Sequence, residues 1–188
     1  MAFATNFVIF QVLWFAAVLG GAWGQPWAGP LVLLPVAAIH LWMTPRPALE
    51  IRLVLAAALI GGVWDSVLVA TGLLVYDGGQ LAPAMAPLWI VSLWAGFAMT
   101  MNVSMRWMRD RRVLGALLGA TVAPISFFGG ARLGAVTMPD PVAAGAALAV
   151  GWSILMPLLL TLAARFDGWP ADAPPKDDAA EDDGEVAS

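Results

Sequence analysis

The chain has 188 residues, of which 61% are hydrophobic and only 12% charged, with a mean hydropathy of +0.81. A soluble domain carries roughly 25% charged residues, so this chain lacks the polar surface to fold in water and belongs in a bilayer. The absence of cysteine and the single histidine exclude disulfides, thiolate chemistry and a histidine-cluster metal site built from one chain.

Six apolar spans are predicted, at 5–23, 27–43, 53–75, 86–107, 113–135 and 142–164, each near the length that crosses a bilayer as a helix. The fold class expected is therefore all-α, a polytopic transmembrane helical bundle of about six helices. No basic residue precedes the first apolar run and no cleavage site follows it, so span one reads as a retained helix rather than a secretory signal. Pro30 and Pro35 in span two shorten or kink it, which membrane helices tolerate when neighbours satisfy the freed carbonyls. The breaks carry turn signals such as Gly24-Gln25-Pro26, Asp77-Gly78-Gly79 and Pro139-Asp140-Pro141.

The net charge of −4 hides a segregation of signs. From Asp167 onward lie eight of the 13 acidic residues and one of the nine basic ones, which leaves five acids, eight bases and a charge of +3 on the rest. Two domains follow: a transmembrane helical domain over 1–166 and a disordered acidic cytoplasmic tail over 167–188, rich in Pro, Ala and Asp. Arg46 and Arg52 flank the link between spans two and three. Arg106, Arg109, Arg111 and Arg112 crowd the next link but one, and Arg165 closes span six. All lie on one side if both termini do, so the positive-inside rule gives an N-in/C-in topology.

Asp65, in Trp64-Asp65-Ser66, sits deep inside span three, and an ionisable group at membrane depth is by default a candidate functional site. At 1.5 Å per residue, Asp65 lies roughly 20 Å from the level of Arg52. Trp94, Ser126 and Trp152 reach similar depth from Trp107, Arg112 and Arg165. A second layer nearer the basic side holds His40, Asn102, Ser104 and Gln11, while Arg132 lies toward the other interface. Candidate ligand-binding residues are accordingly Asp65, Trp64, Trp94, Ser126, Trp152, His40, Asn102, Gln11 and Arg132. The partners open to Asp65 are Ser66, Ser126, an indole N–H from Trp94 or Trp152, and Arg132. Whether it only ties helices together or serves a ligand stays open at this point. Asn102 is a candidate for bonding across helices, Arg132 for pairing with Asp140, and the Gly115/Gly119, Gly130/Gly134 and Gly145/Ala149 spacings for close helix contact.

Taken together, Phe10-Gln11-Val12-Leu13-Trp14-Phe15, Trp64-Asp65-Ser66, Leu93-Trp94-Ala95-Gly96-Phe97-Ala98 and Pro124-Ile125-Ser126 resemble the bacterial inner-membrane family called domain of unknown function 2878. The resemblance runs from residue 6 to about 164. Phe127-Phe128 departs from the tyrosine-containing pattern of that family. It implies a multi-pass protein of the bacterial inner membrane and supplies no activity. The Pro87-Leu88-Trp89 stretch is also similar to the Pro-Trp helix of the translocator-protein family, as an analogy only.

The leading functional expectation is an intramembrane pocket around Asp65 for a small apolar or lipid-like ligand. The alternatives are a small transporter or permease, proton-coupled through Asp65, and a non-catalytic accessory subunit. No triad, metal site or nucleotide loop appears, so no enzyme activity and no cofactor are assigned. The partners expected are the lipid bilayer, a small apolar ligand, and a second copy or another membrane protein, with no nucleic acid.

Overall fold

The computed structural model describes residues 3–169, and the acidic stretch from residue 170 lies outside the described residues. Six helices run in chain order: α1 (Phe3–Ala22), α2 (Ala28–Met43), α3 (Pro47–Ala70), α4 (Leu88–Met101), α5 (Arg112–Arg132) and α6 (Pro141–Arg165), with a short 3-10 turn at Arg106–Met108. The described residues form no strand. One antiparallel bridge, Val75 with Thr137, ties the α3–α4 connection to the α5–α6 connection.

Local signals explain most boundaries. Pro47 and Pro141 occupy first-turn positions, where a missing N–H costs nothing and the ring presets φ. Asp140 caps α6, its side chain accepting from the N–H groups of Val142 and Ala143. Span three differs from expectation by beginning at Pro47 and stopping at Ala70. The Thr71 hydroxyl donates back to the Val67 and Leu68 carbonyls, and Gly72 follows with φ +74°, a left-handed turn that ends the helix. Span four also ends early, at Met101 rather than near Trp107. There Asn102 is drawn into a polar cluster, and the chain doubles back through Met105 N–H to Thr100 O.

Four helices, α1, α3, α5 and α6, are long and apolar enough to cross a membrane, whereas α2 and α4 are shorter. At 1.5 Å per residue, α4 extends only about 21 Å against a hydrocarbon core of about 30 Å. It is nonetheless the hub. Ten of its 14 residues are buried, and it packs against α1, α2, α3 and α6. Small residues allow the close approaches. Gly96 on α4 receives Leu13 of α1, and Gly119 on α5 lies against the backbone of Trp152 on α6. Outward-facing Leu55, Leu59, Val63 and Val67 on α3 present an apolar stripe suited to lipid. In contrast, α1 and α5 do not pack along each other, and the gap between them is the entrance to the site.

Candidate functional site

Asp65 is fully buried on α3, one turn beyond Gly61. The bare Cα of Gly61 leaves a notch that the Trp94 indole of α4 fills; any Cβ there would overlap the ring. Seated in the notch, Trp94 donates from Nε1 to Asp65 Oδ2 at 2.6 Å. Asp65 Oδ1 has no hydrogen-bond partner among the described residues. A matching notch at Gly151 on α6 takes the indole of Trp64. Two interlocking tryptophan–glycine pairs therefore fasten α3 to α4 and to α6, on either side of the carboxyl.

Trp152 of α6 stacks on Trp94, with ring centroids 4.5 Å apart and planes 14° off parallel. Phe97 meets Trp152 edge-on at 5.6 Å. This aromatic pair forms the floor of a cavity of about 570 Å³, within the usual range for small-molecule sites of about 300–1,000 Å³. Its walls are Phe7, Phe10, Gln11 and Trp14 from α1 and Val122, Ala123, Ile125 and Ser126 from α5. The exposed side chains of Phe7, Val122 and Ile125 mark a mouth that opens sideways between α1 and α5. Near that mouth Trp14 donates from Nε1 to Ser126 Oγ at 3.1 Å, joining two helices that approach again where Gly130 of α5 faces Val18 of α1. Gln11 is half-buried on this apolar wall, and its amide makes no hydrogen bond to any described residue.

Residues 3–158 of the chain match the family described as Protein of unknown function (DUF2878). The chain belongs to that family. No curated protein and no solved structure matches it. In this DUF2878 chain the matched region takes in the whole cavity and all but the last residues of α6.

The structure places Asp65, Trp94, Ser126 and Trp152 around one cavity, with Gln11 beside them. The bonding differs from the options the sequence leaves open. Asp65 pairs with Trp94, whereas Ser126 pairs with Trp14 and Ser66 donates to the Gly62 carbonyl and accepts from Ala86 N–H. Asp65 borders the cavity but has 0% exposure, so it lies behind the indole rather than open to an occupant. Trp64 sits at the α3–α6 contact instead of in the cavity. Arg132 is exposed at the end of α5 and does not line it. Nor does it pair with Asp140 among the described residues, because that carboxylate is the α6 cap. Its charge falls instead in the last turn of α5, where a cation suits the helix dipole.

His40 and Asn102 belong to a second site at the basic end, built around a residue that sequence reasoning missed. Glu50 is fully buried. Its Oε2 lies 2.9 Å from His40 Nε2, and its Oε1 accepts from Asn102 Nδ2 at 2.7 Å and from Gly168 N–H at 3.1 Å. Asn102 Nδ2 also reaches the Phe166 carbonyl, and Arg109 Nη2 donates to Asn102 Oδ1 at 2.6 Å. Asp167 accepts from Arg106 and Arg109. Burial alone would raise the Asp167 carboxyl, but bonds from Arg109, the Trp169 N–H and Arg106 outweigh it and hold the group below its ordinary value of 3.8. Residues 167–169, assigned by sequence to the tail, are thus packed on the body, with the Trp169 ring 5.6 Å from His40. A signal for Glu50 existed. The buried stripe Asp65, Gly61, Ala57, Leu53 continues with helical spacing to position 50. Among the described residues no cluster of acids and histidine could hold a metal ion.

Proposed function

We propose that this multi-pass membrane protein binds a single apolar, lipid-like chain in the cavity between α1 and α5. The observation that carries the reading is the cavity itself: about 570 Å³ of almost wholly apolar wall, with exposed Phe7, Val122 and Ile125 at the gap between α1 and α5. A soluble substrate would need a polar route, whereas a molecule already dissolved in the bilayer needs only the gap. The Trp94–Trp152 stack offers a flat apolar floor, and the Gln11 amide offers a donor and an acceptor to a hydroxyl or carbonyl on the occupant. Asp65 acts indirectly in this reading, by holding the Trp94 ring in register. Residence in the bacterial inner membrane, with both termini in the cytoplasm, is part of the same proposal. It is supported by the arginines gathered at one end.

The test is titration of the purified full-length chain with hexadecanol, read by native mass spectrometry. Ala123→Phe places a ring in the cavity and is expected to weaken binding about tenfold or more, which corresponds to about 1.4 kcal/mol. Equal binding by the wild type and a folded Ala123→Phe protein would sink the proposal. Flux of a solute that requires Asp65, with no retained ligand, would favour a permease instead.

A further inference from the structure

The cavity has a chemically distinct end. Its wall runs down to Trp107 and Met108, in the turn that carries the basic residues. The guanidinium of Arg111 lies over the Trp107 ring, 5.7 Å from its centroid. Arg112 opens α5, the helix that forms one side of the mouth. Arg106 and Arg109 are occupied by Asp167, but Arg111 and Arg112 form no ion pair with any described residue. With Asp110 and Asp167 counted against the four arginines, this corner still carries an excess of two positive charges. A cation–π contact uses the face of a guanidinium and leaves its N–H edges free, the geometry that grips an oxyanion by two parallel bonds.

We propose that the occupant of the cavity is an anionic amphiphile, its headgroup oxyanion held by Arg111 and Arg112 and its chain lying along α5 to the Trp94–Trp152 floor. This rests on the binding function proposed above and names the ligand class. The lengths agree. From Arg112 to Gly119, which lies against the backbone of Trp152, the helix rises about 10 Å, within the reach of one leaflet's chains, which fill about half of the 30 Å core, or about 15 Å. A chain anchored at the arginines therefore reaches the level of the stacked indoles. Interfacial arginines contribute about 1 kcal/mol each toward anionic lipid, which is about fivefold in affinity per arginine.

The experiment uses the full chain in detergent and three probes brominated along the chain: phosphatidylglycerol, phosphatidylcholine and a free fatty acid. Tryptophan quenching that Ala123→Phe removes reports chains inside the cavity. The wild type is expected to take up phosphatidylglycerol at several-fold lower mole fraction than phosphatidylcholine. The Arg111→Gln/Arg112→Gln protein is expected to lose that preference, by about fivefold per arginine, because the net-anionic lipid loses more than phosphatidylcholine, whose choline offsets the phosphate charge. Fatty acid uptake with the same arginine dependence would support the inference with a carboxylate as head. Uptake of phosphatidylglycerol alone would support it with a phosphate. Equal uptake of all three probes by the wild type, still removed by Ala123→Phe, would overturn the headgroup assignment and leave the cavity function standing. Quenching that Ala123→Phe leaves untouched would overturn both.

Discussion

Asp65 keeps one hydrogen bond where a buried carboxyl has room for several, and the one it keeps comes from Trp94. The pair is therefore a single point of failure. Trp94→Phe leaves the carboxyl with no donor and is expected to cost about 1–3 kcal/mol, the range for leaving a buried polar group unsatisfied. Because removing both partners is far milder than orphaning one, adding Asp65→Leu to Trp94→Phe should recover much of that loss. Thermal unfolding of the two single variants and the double variant, followed by circular dichroism, checks this. A double variant no more stable than Trp94→Phe would mean that the bond does not hold the ring in place. At this scale the sequence was partly legible. A carboxyl in the middle of an apolar run announces itself, but the count that set Trp94 at its depth ran from Trp107 through a stretch that turns back after Met101. Facing was not legible, because depth carries no azimuth. Hence Trp14 had no assigned partner, Ser126 was offered to Asp65, and Glu50, between Arg46 and Arg52, drew no reading.

Among the elements, α4 shows how length and hydropathy mislead. Its apolar run extends well past Met101, yet the helix stops there because Asn102 is needed by Glu50 and by the Phe166 carbonyl. A tertiary demand thus overrode a local pattern. The end of α6 is fixed by the same cluster, so the segment after Arg165 behaves as a clasp whose strength depends on Asp167. Since the folded pKa of Asp167 lies below its ordinary 3.8, its contribution is fully present above that value. It is lost as the pH falls through the lowered one. Thermal midpoints measured from neutral pH down through the carboxylate range should decline for the wild type as Asp167 protonates. Asp167→Asn should start lower at neutral pH and decline less. Parallel curves for the two proteins would show that the clasp contributes nothing to folding. Asp140 was offered to Arg132 although it caps α6, but the break at Pro139-Asp140-Pro141 was itself readable from sequence because proline acts within one turn. The clasp joins positions 64 residues apart (Asn102 to Phe166) and was not.

For the whole molecule, the all-helical class and the six helices were legible because apolar runs of near bilayer length, separated by turn signals, mark them. Hydrophobic excess on this scale suits a bilayer, where the backbone must satisfy itself. That α4 is too short to cross independently was not legible, since apolar turns flanking a helix look the same as helix, whereas the prolines of span two pointed to the shortness of α2. The arrangement of charge yields a test of orientation that the cysteine-free sequence makes clean. Asp77→Cys and Asp110→Cys each introduce the sole thiol, both at exposed positions. Intact cells treated with a membrane-impermeant maleimide should label the first variant, while the second should react only after lysis. The reverse pattern would invert the proposed topology.

The sideways mouth between α1 and α5 changes what concentration means for any occupant. A molecule that arrives through this gap searches in two dimensions, and its supply is set by its mole fraction in the surrounding leaflet, not by its aqueous concentration. Occupancy should then be diluted by adding empty lipid at constant water volume, and should be indifferent to adding water at constant lipid. The protein would read the composition of the sheet it is dissolved in.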